Sequence, residues 1–439
     1  MKKIVTLFLV CLLAVSLVAC STTSKPNASE KQNAAANIPT KIDKPVTIEF
    51  WHAMTGGLEK TLQTMTQQFN DSHPNITVKL VNQGTYDDLN KKLMAAAKSH
   101  NSPVIAQAYE DWMQEYINND LITDLTPYIQ NKTVGWSDSE LNDIVKVFRD
   151  ENTWNNKYYG VPFNKSTEVL YYNTDMFKEN NLKVPTTWAE LENAAKTMTK
   201  GKVIGMGFEN AIGLNFPTWV QQAGGQFVDM NKNKVAFDSA EGKKALTFLN
   251  DMVNNKKIAR LAGEDKFMSD PFARGDVGMY IGSSAGIGFV SASAKGKINW
   301  ATAPLPGDKK ASTQFQGTNV VAFKSATDQE KLAAWEFMKF LSSKEQTIYW
   351  AENTGYVPVR ESALNDAEWK KYIQENPNFA AAEEQFKDGY YFPHLNGASA
   401  MKTAYSTEIQ AVLVGQKSVD QGLKDAAKNS QDALDKAGK

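Results

Sequence analysis

Cysteine is almost absent: the 439-residue chain has two, Cys11 and Cys20. Everything beyond residue 20 therefore lacks a thiol that could form a disulfide or ligate a metal. Histidine is nearly as scarce, and the four present, His52, His73, His100 and His394, show no HExxH or paired-ligand spacing. No GxSxG nucleophile elbow and no Walker loop occurs. Asp229, Asn231 and Asn233 alternate, but without the glycine and distal glutamate that complete a calcium loop. An excess of one charge is missing as well. Lys and Arg number 48 against 49 Asp and Glu, a balance that offers nucleic acid no basic surface. Beyond the first twenty residues no apolar run is long enough to span a bilayer. These absences point to no cofactor and no metal. They leave open a carbohydrate hydrolase, which needs only two carboxylates.

What is present starts with Lys2 and Lys3, an apolar run over 4–18, then Ala19 and Cys20. A charged start, a short apolar stretch and a small residue before the cut are the marks of an export signal. Leu17-Val18-Ala19-Cys20 also resembles the lipobox of bacterial lipoproteins. That resemblance implies cleavage after residue 19 and a diacylglycerol on the Cys20 sulfur, which anchors far more lastingly than a single acyl chain. Cys11 leaves with the signal segment 1–19. Residues 20–44, rich in Ser, Thr, Asn, Ala and Lys, bury too little to fold and read as a tether. The expected location is the extracellular face of the cell membrane, with the lipid as the only membrane contact.

The remaining body exceeds what one core supports, so two domains are expected. Val46 to Trp51 alternates as a strand, and after Gly56-Gly57 a helix places Leu58, Leu62, Met65 and Phe69 on one face. Strands are expected at 76–81 and 104–108, with a helix at 86–99 between them. Strands alternating with amphipathic helices argue for an α/β protein with a covered, mostly parallel sheet. A hairpin turning at Asn155-Asn156 leads to GVPFNKSTEVLYYN, residues 160–173. There a Gly-Pro break and the polar cluster Asn164 to Thr167 read as a flexible crossover, running into the strand Val169 to Tyr172. The pattern then restarts. Thr187 and Glu190 form a capping box, strands follow at 203–208, 277–281, 298–303 and 317–323, and two helices close the chain at 401–413 and 419–437.

Eight segments in order, IEFWHAMTGGLEKTLQTMTQQFNDSHP, GTYDDL, PVIAQAYE, GVPFNKSTEVLYYNTDMF, VPTTWAEL, FARGDVGMYIGSSAG, ENTGYVPVRESA and VGQKSVDQGLKDA, resemble the extracellular solute-binding proteins of ATP-binding-cassette (ABC) importers. The likeness is strongest to the glycerol-3-phosphate-binding subgroup and weaker to the maltose-type sugar binders. It covers nearly everything after the tether. The resemblance implies a two-lobe, type II clamshell with several interlobe crossovers, lobe one at 45–165 and 317–362 and lobe two at 166–316 and 363–439. It also implies a monomer that is not an enzyme, whose partners are a small polar solute, taken up in the cleft, and a membrane permease.

Several residues are candidates for touching that solute. Tyr86, at a helix start after Gly84-Thr85, offers a phenol beside free backbone amides, or simply packs between helices. Glu110, just past a strand end, can accept two hydroxyl donors from a polyol or only favour a helix dipole. Ser166 and Ser283 present hydroxyls in turn-like sequence, and 282–286 can hold an anion by backbone donors. Gly317 allows close backbone approach or serves as a hinge. Tyr356 is a ligand contact by resemblance, or a core aromatic. Lys402 falls where the subgroup carries a phosphate-holding arginine. That departure loses the bidentate grip and leaves room for a glycerophosphodiester or an uncharged sugar, or for a lysine that is only helix surface. Trp51, His52, Trp188 and Trp219 form a tempting stacking set, although Trp188, just past a helix cap, suits the core.

Overall fold

The computed structural model describes residues 38–438. The signal segment, the lipobox with Cys20, and the tether up to residue 37 lie outside the described residues. Residues 38–44, assigned above to the tether, are fastened to the body. Ile38 and Ile42 pack on its core, the Asp43 amide donates to Gln329 Oε1 at 2.8 Å, and Gln329 Nε2 donates to the Lys41 carbonyl.

Fourteen strands follow in chain order. They are β1 (Val46–His52), β2 (Ile76–Asn82), β3 (Ile105–Ala108), β4 (Thr153–Trp154), β5 (Lys157–Tyr158), β6 (Val161–Asn173), β7 (Ile204–Phe208), β8 (Val228–Asp229), β9 (Lys234–Val235), β10 (Ala259–Leu261), β11 (Val277–Ser283), β12 (Trp300–Ala303), β13 (Thr313–Ala322) and β14 (Gly389–Tyr390). Ten of them make one sheet in the order β10-β7-β11-β6-β13-β3-β1-β2, with β12 added on β6 and β14 on β13. Outer strands pair in parallel, β2 with β1, β1 with β3, and β10 and β11 with β7. The centre is antiparallel: β6 lies between β11 and β13, and β13 pairs with β3. Two parallel α/β patterns are thus joined through two long strands running in opposite directions.

Each end of the sheet has its own core. In the first lobe the helix α1 (Gly56–Ser72) packs Leu62, Met65 and Phe69 in one core with Phe50 of β1, and Phe337 meets both Phe50 and Phe69 edge to face. In the second lobe Phe208, Trp219, Leu246, Leu249, Met401 and Tyr405 pack together. Fully burying one such side chain is worth about 1.5–3 kcal/mol. A third cluster draws on both halves of the chain, with Phe148 and Val359 against Tyr171, Phe272 and Tyr280. The two lobes therefore share buried surface beside the central strands.

The polar cluster Asn164 to Thr167 is not a loop, although the chain does cross between the two halves of the sheet there. It lies inside the 13-residue strand β6, and its four residues are at most 2 % exposed. Polar side chains tolerate this because they satisfy one another across strands. Asn164 Oδ1 accepts from Gln107 Nε2 at 2.9 Å and from Thr318 Oγ1 at 2.5 Å. Lys165 pairs with buried Glu151 at 2.5 Å, and Thr167 Oγ1 accepts from Gln385.

Candidate functional site

The parallel strands β2, β3 and β7 all end toward one cavity between the lobes, where open α/β sheets place ligands. The cavity measures about 480 Å³. From the first lobe it receives Tyr86, which opens α2 (Tyr86–Lys98), and Glu110 with Asp111, which open α3 (Glu110–Asn118) directly after β3. From the second lobe come Asn215 and, on the helix Ala398–Leu413, Lys402. The floor is β13, whose alternating Gln314 and Gln316 share one face. A larger hollow of about 570 Å³ lies near Asn118, Asn429 and Lys436, at the ends of three helices. No strand end opens into it and no buried ion pair lines it.

Lys402 spans the lobes. Its Nζ donates to Glu110 Oε1 at 2.6 Å and to Asp111 Oδ1 at 3.0 Å, with all three side chains largely buried. Burial pushes the Glu110 carboxyl up, but the ammonium beside it wins and holds the group below its ordinary value. Burial and the neighbouring Glu110 charge leave the Asp111 carboxyl raised despite the same ammonium. Lys402 itself is opposed by burial, yet the two carboxylates keep its proton bound more tightly than usual.

Tyr86 lines the cavity and is also packed. Its ring meets Tyr109 and Trp112 edge on, and its hydroxyl accepts from Asn164 Nδ2 at 3.1 Å. Burial, then the nearby Tyr356 and Tyr109 phenols, raise its ionisation well above the ordinary value, so it acts as a neutral hydroxyl. The helix start offers fewer free amides than its sequence suggests. Gly84 N is taken by Asn82, and the capping box between Thr85 and Asp88 uses two more.

Three of the seven sequence candidates, Tyr86, Glu110 and Lys402, meet at this cavity; Ser166, Ser283, Gly317 and Tyr356 do not line it. Ser283 Oγ donates to Ser166 Oγ at 3.1 Å, so the two hydroxyls satisfy each other. The turn at 282–286 is a poor anion cradle. The Ala285 amide is turned onto Ser283 Oγ, and Glu209 lies close to Gly282. What Gly317 approaches is β6. At φ +100° a methyl group there would sit 1.8 Å from the Asn164 carbonyl oxygen. Tyr356 is a core aromatic stacked on Trp350, with its hydroxyl toward Tyr86 and Asn164.

The aromatic set disperses. Trp188 and Trp219 belong to the second core, and His52 is buried, its Nδ1 accepting from the Met54 amide. Burial drops His52 to about 4, so it is uncharged near neutrality. Residues that sequence reasoning missed include Asp111, Asn215 and Gln316. Gln316 Nε2 donates to Asn215 Oδ1 at 2.8 Å, and Asn215 Nδ2 donates to the buried Glu168. Burial first, and the Glu209 carboxyl second, push Glu168 up to about 8. Burial lifts Glu209 to about 7, although the Met268 amide donates to it.

Comparison with known proteins fits this geometry. The profile of the bacterial extracellular solute-binding protein family matches residues 64–381. The sn-glycerol-3-phosphate-binding periplasmic protein UgpB of Salmonella paratyphi A is 26% identical over 409 residues, 88% of this chain and 92% of that one. Among solved structures, UgpB of Mycobacterium tuberculosis in complex with glycerophosphocholine superposes with a TM-score of 0.78 at 22% identity, covering 89% of this chain and 99% of that chain. The cycloalternan complex of Lmo0181 from Listeria monocytogenes gives 0.79 at 23% identity, covering 90% and 99%. The fold is thus the two-lobe type II clamshell of these proteins, and the chain belongs to the bacterial extracellular solute-binding protein family of ABC importers.

Proposed function

We propose that this protein is the lipid-anchored receptor of an ABC importer, binding glycerol 3-phosphate or a glycerophosphodiester between its lobes and handing it unchanged to the permease. The observation that carries the reading is the cleft itself. Hydroxyl acceptors and donors from both lobes, Tyr86, Glu110, Asn215 and Gln316, converge with one ammonium, Lys402, at the ends of parallel strands. Such a set holds a polyol from two sides at once, and a ligand that touches both lobes favours the shut form by its differential affinity for it. The relatives that bind glycerol 3-phosphate support the same ligand class.

The lobes in this reading are 45–165 with 317–362 and 166–316 with 363–439, turning about β6 and β13 near Asn164 to Thr167 and Gly317. A maltodextrin-type oligosaccharide is the second reading. It is favoured by Gln314 and Gln316 on the floor and by the sugar-bound neighbours of this fold. Titration calorimetry of the purified protein with glycerol 3-phosphate, glycerophosphocholine and maltodextrins in turn tests both. Heat from any of the three assigns the class, and chemical conversion of a bound solute would refute a receptor role.

A further inference from the structure

Lys402 is the one cation among the described residues lining the cleft, and two of its three N–H donors are already committed. An ammonium has three N–H donors. One goes to Glu110 at 2.6 Å and one to Asp111 at 3.0 Å, while the nitrogen sits 4.6 Å from the centre of the Phe392 ring, which covers it. The next cation inward, Lys165, is fully buried and held by Glu151 at 2.5 Å and by the Gly317 carbonyl. Against this single, occupied ammonium the cavity sets three carboxylates, Asp87, Glu110 and Asp111. A phosphate monoester arriving with nearly two negative charges would have to take Lys402 from a buried carboxylate and leave that group unpaired, which buried charges resist.

We propose that Asp111 is a specificity residue: by holding Lys402 jointly with Glu110, it turns the cleft into a charge filter that excludes doubly charged phosphate monoesters and admits hydroxylated solutes of zero net charge. The inference rests on the receptor reading above and narrows its ligand. A zwitterionic phosphodiester and a neutral sugar pass the filter, whereas glycerol 3-phosphate does not. Glu110 alone would neutralise the lysine; Asp87 and Asp111 then leave a surplus of two negative charges, and of these only Asp111 also holds the lysine. The two contacts also join α3 of the first lobe to the helix Ala398–Leu413 of the second, so the filter is assembled only when the lobes approach.

The test is calorimetry on the wild-type protein and Asp111→Asn with glycerol 3-phosphate, glycerophosphocholine and maltotriose. The wild type should bind the better of the two uncharged-overall solutes at least about tenfold more tightly than glycerol 3-phosphate, the scale of one charged hydrogen bond. Asp111→Asn should shift the ratio of the glycerol 3-phosphate dissociation constant to that of maltotriose by about tenfold in favour of glycerol 3-phosphate. A measurement free of any variant accompanies it. Raising salt from about 0.02 to about 0.5 M screens repulsion, so wild-type affinity for glycerol 3-phosphate should rise while that for maltotriose holds. Wild-type protein that prefers glycerol 3-phosphate, an unchanged preference in Asp111→Asn, or an affinity for glycerol 3-phosphate that falls with salt overturns the filter. Failure of all three solutes to bind either protein instead refutes the proposed ligand class, and the filter with it.

Discussion

Glu168 gives the sharpest test of the electrostatics. It is 5 % exposed on β6, and its carboxyl is neutral near pH 7 because burial and Glu209 raise it from 4.5 to about 8. An acid whose value is higher folded than unfolded binds its proton more tightly in the folded state. Its contribution is present at low pH and is lost as pH climbs from about 4.5 to about 8. At about 1.4 kcal/mol per pH unit of displacement, the loss between about pH 5 and about pH 8.5 comes to as much as about 4 kcal/mol. Glu168→Gln keeps the shape and an oxygen for Asn215 Nδ2 but cannot ionise. Urea unfolding of both proteins, followed by tryptophan fluorescence at the two pH values, isolates the term. The wild type should lose ground to the variant by up to about 4 kcal/mol at the higher pH. A stability difference that is the same at both pH values would refute the assignment of a buried, neutral carboxyl.

Two further outcomes are expected. Lys165→Met leaves Glu151 buried without its partner and should cost about 3–5 kcal/mol in urea unfolding, most of it recovered by adding Glu151→Leu; a loss below about 1 kcal/mol would mean that the pair behaves as a surface contact. Cys20→Ala should stop incorporation of labelled palmitate and move the protein from the membrane fraction to the medium, and retention at the membrane would exclude Cys20 as the anchor.

Much of the architecture was legible because it is written locally. The alternation of Val46 to Trp51, the Leu62-Met65-Phe69 stripe, the Thr187-Glu190 capping box and the Asn155-Asn156 turn each depend on residues a few positions apart, and each is found as read. The segment 164–167 was misread for the opposite reason. Its polarity is matched by Gln107, Ser283, Thr318 and Gln385, partners brought in by other strands and loops. Local composition therefore looked like a loop where the tertiary structure builds a buried strand. The site divides in the same way. Glu110 and Tyr86 stand at strand and helix ends that sequence can place, but Asp111 gains its meaning from Lys402, 291 residues away. No spacing rule reaches that far, and the resemblance drew attention to Lys402 without its second carboxylate.

The shared central strands carry a consequence for anyone who would dissect this molecule. Because β6 pairs with β13 through residues 161–167 and with β11 through residues 168–172, neither lobe is a module that can be cloned alone. A gene truncated within that strand would yield two fragments, each with a raw edge of unpaired amides and carbonyls, and such edges recruit neighbouring chains. Half-length fragments should therefore precipitate singly, and soluble material should return only when both are produced in the same cell.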